Sequence, residues 1–252
     1  MQTSLRGIAN KAANDKQHRF GDLYRLLNEA NLRESFYKLR KDAATGIDGV
    51  TFQEYENNLD ENLENLVERL KAKRYKAKLV RRKLIPKAGS SKMRPLGIPA
   101  LEDKLLQRAV ADILSAIFEQ DFHECSYGYR RRRSAHQALD EIRSIIYRND
   151  INCVVEADIR GFFDNIDHDW LIKMLEQRIN DQAFIRLIKK WLRAGILSED
   201  GKVIHPATGT PQGGLVSPVL ANIYLHYVLD NWFEKTDKAR EQKSMSPREI
   251  CG

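Results

Sequence analysis

Long apolar runs and cysteine are both scarce in this sequence. No stretch approaches the roughly 20 consecutive apolar residues that a membrane-spanning helix needs, and no N-terminal apolar segment resembles a secretory signal. The three cysteines, Cys125, Cys153 and Cys251, show no Cys-x-x-Cys spacing, which argues against a disulfide framework and against a zinc site. These absences favour a soluble protein of a reducing compartment, and we expect a cytoplasmic location without membrane attachment.

Acidic residues are missing from Lys71 to Arg94, although eleven lysines and arginines lie there. The chain has 42 basic residues and a formal net charge of +7, and the 31 basic residues outside this run are outnumbered by 35 acidic ones. A solvated face is the ordinary explanation for scattered lysines. The lack of acids and a second cluster at Arg130–Arg133 instead favour a surface that binds a polyanion.

Helical patterns interleave with a few short strands, which predicts an α+β fold. Thr51 and Glu54 have the spacing of a capping box, and an apolar stripe from Phe52 to Leu70 follows. A basic hairpin is predicted next, with turn residues at 88–91 and a returning strand at 93–98. An apolar face from Leu105 to Phe118 predicts a strong helix. With 252 residues the chain suffices for one large domain or two subdomains.

The stretch Ile151–Ile159 is short, apolar and rich in β-branched residues, which predicts a buried strand. Asp158 lies at its end, where a rigid backbone would hold a hard oxygen ligand suited to Mg²⁺. An ordinary strand-end aspartate in a turn is the alternative explanation. The neighbouring acids have structural explanations: Asp167 and Asp169 as helix caps, and Asp164 as a structural residue.

Two further helices are predicted around this strand. One begins at Ser134 and places four apolar residues in the core: Leu139, Ile142, Ile145 and Ile146. The other begins at Ser217-Pro218 and carries a core stripe from Leu220 to Trp232. Before it, Gln212-Gly213-Gly214 is explained either as a simple loop or as bare backbone that a ligand can approach. The adjacent Phe162 and Phe163 are explained either as core residues or as a ligand contact.

Four sequence blocks occur in order along the chain: IPKAGSSKMRPLGIP (85–99), CSYGYRRRRSAHQAL (125–139), ADIRGFFDNIDH (157–168) and GTPQGGLVSPVLANIYL (209–225). Together they resemble the reverse transcriptase domain of group II intron-encoded proteins, the intron maturases, over about residues 39–235. The resemblance implies right-hand polymerase-like fingers and a partial palm, helix-rich with small antiparallel sheets. We accordingly expect an N-terminal helical extension (1–50), fingers with the basic hairpin (51–150), a partial palm (151–236) and a divergent tail (237–252).

The resemblance also assigns roles to single positions. Asp158 matches the first metal-binding aspartate, with the Ile159 carbonyl as a second ligand of Mg²⁺, for which Mn²⁺ could substitute. The expected nucleotide-binding residues are Lys87 and Arg94 for the triphosphate, Phe163 beneath the incoming sugar, and Gln212 and Gly213 beside the nascent base pair. Arg130 and Arg133 match arginines of the template path.

The implied partners are an RNA template and primer, intron RNA in the family's usual case, together with deoxynucleoside triphosphates. Arg81 and Arg82, within the basic run, are expected to contact RNA with Arg130 and Arg133. The segment before Thr45 resembles an N-terminal extension that contributes to template binding. The sequence leaves open whether the protein forms a homodimer.

The chain departs from the family in two ways. Relatives commonly have Pro-Gly where this chain has Arg131-Arg132, and the family's Tyr-x-Asp-Asp motif is missing, because no two aspartates are adjacent anywhere. Nucleotidyl transfer in this class uses two metal ions roughly 3.5–4 Å apart, which one aspartate cannot hold. We therefore expect these 252 residues to be a truncated RNA-directed DNA polymerase that is inactive alone. The alternatives are a non-catalytic RNA-binding protein, or a split half whose site a separate chain completes.

Overall fold

A computed structural model describes residues 2–86, 89, 91, 93–148, 151–210 and 213–236. The α-helices in these residues are α1 (Gln2–Asn14), α2 (Glu29–Phe36), α3 (Phe52–Asn57), α4 (Leu59–Lys71), α5 (Leu101–Phe118), α6 (Ala135–Arg148), α7 (His168–Leu175), α8 (Gln182–Leu192) and α9 (Ser217–Leu225). Two 3-10 turns lie at Leu23–Leu26 and Phe162–Asp164, and a π-helical turn at His226–Asp230 is followed by helical residues 231–236. None of the described helices combines the length and the hydropathy that a membrane-spanning segment requires.

The described strands form one small mixed sheet in the order β2-β1-β3-β4. They are β1 (Val80–Pro86), β2 (Met93–Ile98), β3 (Ile196–Leu197) and β4 (Val203–Ile204). Strands β1 and β2 pair antiparallel, which confirms the predicted basic hairpin. Strand β3 instead runs parallel to β1, a difference from the antiparallel pairing that we expected. Helices α5 to α8 lie between β1 and β3 in the chain, and so long a connection permits a parallel neighbour.

Helix α5 forms the centre of the core. Its predicted apolar face is fully buried, from Leu105 to Phe118. Helices α1, α2 and α9 pack around it. Because neighbours surround α5, polar residues outside the apolar face are buried as well, including Asp103, Gln107 and Asp112. One hydrophobic cluster extends from Ala12 to Ile223, so the N-terminal helices and the later helices share this core.

The predicted capping box at Thr51 is confirmed. The Thr51 side chain accepts a hydrogen bond from the Glu54 backbone N–H, and the Glu54 carboxylate accepts one from the Thr51 N–H. The apolar stripe that follows is buried but is divided between two helices, because Asn58 adopts a non-helical conformation between α3 and α4. The Asn62 side chain donates a hydrogen bond to the Tyr55 carbonyl across this break.

Helix α6 and the residues after it expose apolar side chains. The four residues of α6 that we expected in the core are between 46% and 64% exposed: Leu139, Ile142, Ile145 and Ile146. Residues 151–159 form no strand and lie open to solvent, so the predicted buried strand is wrong. A strand needs a hydrogen-bonded neighbour and a covered face, and no described strand pairs with these residues.

The helical segment that begins with α9 also exposes apolar side chains to solvent. Leu220 and Ile223 of α9 are buried as predicted. Val228 and Trp232, which we placed on the same core stripe, are half exposed. The π-helical turn that starts at His226 inserts between these two groups and changes which residues face inward.

The 206–210 segment is hydrogen-bonded to the chain around the Phe162–Asp164 turn. The Gly209 N–H donates to the Ile166 carbonyl at 2.7 Å, and the Thr210 N–H donates to the Phe163 carbonyl at 2.8 Å. The Thr208 hydroxyl donates to the Asp164 carbonyl at 3.0 Å. Gly209 has a φ of +88°, and a Cβ atom there would lie 2.7 Å from the Asp164 carbonyl oxygen. Glycine therefore permits this close backbone approach.

A buried polar cluster joins the start of the sheet to α5 and α8. The Tyr75 hydroxyl donates to the Asp103 carboxylate and accepts from Trp191 Nε1 at 2.8 Å. The Lys78 backbone N–H donates to the second Asp103 oxygen at 3.0 Å. Burial raises the pKa of Asp103 to about 6, and the hydrogen bonds from Tyr75 and Lys78 oppose that rise.

Replacing Gly209 by alanine should destabilise the protein more than replacing Gly201 by alanine. Both glycines have a similar positive φ, +88° and +80°, but a Cβ at Gly201 would meet no atom within 4 Å. The clash with the backbone of the Phe162–Asp164 turn should therefore cost about 1–3 kcal/mol beyond the loss in the Gly201→Ala control. Urea denaturation measures both values, and equal losses would contradict the docked geometry of the 206–210 segment.

The stability of the wild type relative to Asp103→Asn should fall as the pH rises. Because burial raises the folded-state pKa of Asp103 from 3.8 to about 6, the stabilising contribution of the protonated carboxyl is complete below about pH 4. It is lost as the pH rises through about 6, and the difference in unfolding free energy should change by up to about 3 kcal/mol. Urea denaturation of both proteins between pH 4 and 7 measures this change. A constant difference over that window would contradict the raised pKa.

Candidate active site

A short turn holds Phe163 in a fixed position. Gly161 starts the turn in the left-handed region, with a φ of +59°, and the Asn165 side chain donates a hydrogen bond to the Gly161 carbonyl at 2.9 Å. The Phe163 ring is half-buried and contacts two aromatic rings edge-on, Tyr129 at 6.1 Å and Phe162 at 5.7 Å between centroids. The ring is therefore neither a core residue nor freely exposed.

A cleft separates the basic hairpin from this turn. Its volume is about 290 Å³, and its walls are formed by Arg82, Pro95, Gly97, Asp164, Ile196 and residues 206–210. Asp164, which we interpreted as structural, thus lies in the cleft wall with Arg82 of the hairpin. No sequence signal distinguished Asp164 from the neighbouring acids, because its position depends on the docking of the distant 206–210 segment.

Gly213, in the loop that follows the 206–210 segment, lies against the basic hairpin. Its φ is +117°, and an added Cβ would overlap the carbonyl oxygen of Gly97 in β2. The loop thus touches the hairpin at Gly213 and the Phe162–Asp164 turn at Gly209. The expected base-pair contact Gln212 lies outside the described residues, as does the expected triphosphate ligand Lys87.

The hairpin arginines differ in their availability. Arg94 pairs with Ile85 in the hairpin register, is exposed, and forms no salt bridge with another described residue. Arg81 donates to the Thr45 carbonyl and so fastens the hairpin to the preceding loop. Arg82 faces the cleft. Of the three, Arg94 and Arg82 can reach a ligand without breaking a hydrogen bond to a described residue.

The expected template arginines, Arg130 and Arg133, bind other residues of the loop between α5 and α6. Arg130 is only 7% exposed, and its guanidinium donates to Glu119, at 2.8 and 3.0 Å, and to the carbonyls of His123 and Ser126. Arg133 pairs with Glu124. A contact of Arg130 with RNA, as expected from the sequence, would require these buried bonds to break. Its structural role is therefore to hold the loop.

Arg131 and Arg132, which stand where the resemblance leads us to expect Pro-Gly, lie in the same loop. Arg132 has a φ of +62°, a conformation that glycine adopts at little cost and arginine adopts rarely. Arg131 donates to the buried carboxylate of Asp112, which also pairs with Lys38 and Arg108. The turn thus forms with arginine at its left-handed position.

Asp158 lies on the irregular segment after α6 and is exposed. It forms no hydrogen bond or salt bridge with any other described residue, and Ile159 is half exposed. Across the described ranges no three His, Cys, Asp or Glu residues are grouped so that they could hold a metal ion. A Mg²⁺ ion requires several oxygen ligands in near-octahedral geometry. The described residues therefore do not by themselves fit the two-metal centre implied by the resemblance.

Comparison with known proteins identifies several relatives. The chain is 39% identical over 223 residues to the group II intron-encoded protein LtrA of Lactococcus lactis subsp. cremoris, covering 88% of this chain and 37% of LtrA. It is 39% identical over 211 residues to an uncharacterised 91 kDa protein in the cob intron of Schizosaccharomyces pombe, covering 83% and 25% of the two chains. The protein YkfC of Escherichia coli is 35% identical, with 88% and 59% covered. The chain thus spans less than two thirds of each of these relatives.

A solved structure shares the fold. A chain of a partial Cas6-RT-Cas1–Cas2 complex superimposes with a TM-score of 0.51 and 25% identity, over 87% of this chain and 35% of that one. The similarity is consistent with the helix-rich α+β polymerase-like fold. Residues 85–245 match the model of the reverse transcriptase (RNA-dependent DNA polymerase) family. These residues include strand β2 of the hairpin, the Phe162–Asp164 turn and the loop at 209–213, so the chain belongs to the reverse transcriptase family, with intron maturases among its relatives.

Proposed function

We propose that the chain supplies the fingers and the first part of the palm of an RNA-directed DNA polymerase of the group II intron maturase type. The observation that carries this proposal is the cleft in which one loop meets both the hairpin, at Gly97, and the Phe163 turn. A polymerase needs these parts in contact, because the base pair, the sugar and the triphosphate of one nucleotide must be held together.

The nucleotide ligand is a deoxynucleoside triphosphate in this proposal. Arg94 is exposed and free of described carboxylates, and a guanidinium can bind a phosphate through two parallel hydrogen bonds. Lys87 would add a point charge. Phe163 would lie under the sugar, with Gln212 and Gly213 beside the base pair. The half-buried ring of Phe163, held by Tyr129, supports a rigid wall at the sugar position.

Asp158 is the proposed metal ligand of this chain, with the Ile159 carbonyl, for Mg²⁺ or Mn²⁺. Its exposed carboxylate is accessible to an ion, but the described residues do not form a group of three or more potential metal ligands with it. The remaining ligands would have to come from other polypeptide, so the 252 residues alone should not polymerise DNA.

A second candidate function is that of one half of a split polymerase, completed by a separate chain. The apolar residues exposed on α6 and on 151–159, together with Val228 and Trp232, favour it. Apolar surface of this extent usually marks a site covered by other protein. The surface lies on both sides of Asp158 in the sequence, which is where missing carboxylates would have to arrive.

The chain should bind an RNA template annealed to a DNA primer without extending the primer. Binding should weaken steeply with salt, because each lysine or arginine that contacts a phosphate releases counterions. Filter binding between 50 and 200 mM salt, a range in which phosphate-contacting proteins lose affinity by orders of magnitude, measures the first part. Primer extension with deoxynucleotides and Mg²⁺ measures the second.

The control for extension is the pair Asp158→Ala and Asp169→Ala, two exposed aspartates of which only the first is a proposed metal ligand. Extension by the wild-type chain that disappears in Asp158→Ala and persists in Asp169→Ala would contradict the predicted inactivity. Binding that does not depend on salt would contradict the polymerase assignment itself. If a polypeptide carrying Tyr-x-Asp-Asp restores extension, and Ile142→Asp prevents it, the split-polymerase candidate is supported.

A further inference from the structure

A basic groove lies between the end of α4 and helix α8, away from the residues proposed for the nucleotide. We call it the α8 groove; its volume is about 1090 Å³. Its lining contains seven lysines and arginines and no acidic residue: Lys73, Arg74, Lys76, Arg186, Lys189, Lys190 and Arg193. Three of these cations belong to the basic run Lys71–Arg94 and four lie more than a hundred positions later, so the charge pattern alone does not show that they line one groove.

Specific contacts hold the two walls of the groove together. The Lys190 Nζ donates to the Tyr75 carbonyl, and Trp191 Nε1 donates to the Tyr75 hydroxyl. Tyr75 is buried, so it anchors the 73–76 wall against α8. One face of α8 packs into the core through Phe184, Leu187 and Ile188. The basic residues of α8 therefore lie on its outer face.

None of the seven cations has a carboxylate partner among the described residues. Lys190 is engaged by the Tyr75 carbonyl, whereas the nearby Arg69 and Lys78, outside the groove, are paired with Glu102 and Asp48. On α8, Arg186, Lys189 and Arg193 recur at steps of three and four residues, which aligns them along one side of the helix. The groove thus presents a row of uncompensated positive charge.

The backbone at Lys73 provides an independent observation. Lys73 has a φ of +58° at the end of α4, where the Lys73 N–H donates to the Leu70 carbonyl and the Arg74 N–H donates to the Arg69 carbonyl. These two bonds define a Schellman motif, whose left-handed position is usually glycine. A lysine there is unfavourable for the fold, and such an outlier is a reason to suspect a functional role.

We propose that the α8 groove binds the phosphate backbone of a structured RNA, as a second RNA-binding surface beside the basic hairpin. This inference rests on the proposed function, which supplies an RNA partner. Arginine forks and lysine point charges both suit phosphate oxygens. Insertion into a lipid bilayer requires exposed large apolar side chains, and the lining has none. Leu79 is partly buried, and Ala194 and Gly195 are buried. RNA is therefore favoured over a membrane surface.

Two charge-matched triple variants test the proposal. The groove variant removes three groove cations: Arg186→Gln, Lys189→Gln and Arg193→Gln. The control variant removes three exposed cations elsewhere: Arg143→Gln, Lys173→Gln and Lys202→Gln. Filter binding of each full chain to a structured RNA is measured over a range of salt concentrations. The groove variant should reduce the slope of log K against log salt by about 2–3, whereas the control should leave it nearly unchanged.

Lys73→Gly separates binding from stability. Glycine suits the left-handed position, so the variant should unfold at the same or a higher urea concentration than the wild type. Its salt slope should nevertheless fall by about 1, because one phosphate contact is lost. A Lys73→Gly protein that binds RNA with the wild-type slope would count against the groove.

The outcomes distinguish this inference from the proposed function. If the wild type does not bind RNA at all, both fail. If it binds RNA with a steep salt slope, and the groove and control variants behave alike, only the α8 groove proposal is overturned. Salt-sensitive binding to vesicles of anionic lipid that the groove variant loses, with unchanged RNA binding, would assign the surface to a membrane and likewise overturn it.

Discussion

The contact that the rest of the site depends on is the docking of the 206–210 segment on the Phe162–Asp164 turn. Backbone hydrogen bonds from Gly209 and Thr210 bring the two segments so close that a Cβ at Gly209 would clash with the turn, which is why a glycine is required there. Gly213, a few residues later, touches the hairpin at Gly97. One short loop thus joins the basic hairpin to the Phe162–Asp164 turn, with the cleft between them. Without this contact, the hairpin arginines and the Phe163 ring would belong to separate surfaces.

Helix α6 and residues 151–159 are incompletely covered, and the metal site implied at Asp158 is incomplete. Apolar side chains of α6 and of 151–159 are open to solvent, and Asp158 belongs to no group of three or more described His, Cys, Asp or Glu residues that could hold a metal ion. The exposed apolar residues and Asp158 lie close together in the sequence. A strand pair that covered α6 could bring carboxylates to Asp158, and it would give 151–159 the hydrogen-bonded neighbour that a strand needs. The same added structure would therefore serve folding and chemistry, which is the physical content of the proposal that this chain is part of a polymerase site.

The sequence predicts those parts of the fold that depend on local periodicity. The face of α5, the capping box at Thr51 and the basic hairpin follow from residue spacing, and the structure confirms them. The strand at 151–159 fails, because β-branched composition cannot supply a pairing partner. The burial of Arg130 and the assembly of the α8 groove also escape prediction. The burial of Arg130 depends on the conformation of an irregular loop, in which its guanidinium donates to Glu119 and to the carbonyls of His123 and Ser126. The α8 groove depends on contacts between residues distant in the chain, as with Tyr75 and Trp191. Residue periodicity encodes neither.

Amide hydrogen exchange, resolved residue by residue, tests the central contact most directly. The Gly209 and Thr210 amides donate to the Ile166 and Phe163 carbonyls, whereas the amides of 151–159 belong to no described strand or helix. If the docking is as stable as the core, Gly209 and Thr210 should exchange as slowly as the amides of α5, and those of 151–159 should exchange without protection. Rapid exchange at Gly209 and Thr210 in a protein whose α5 remains protected would contradict the account.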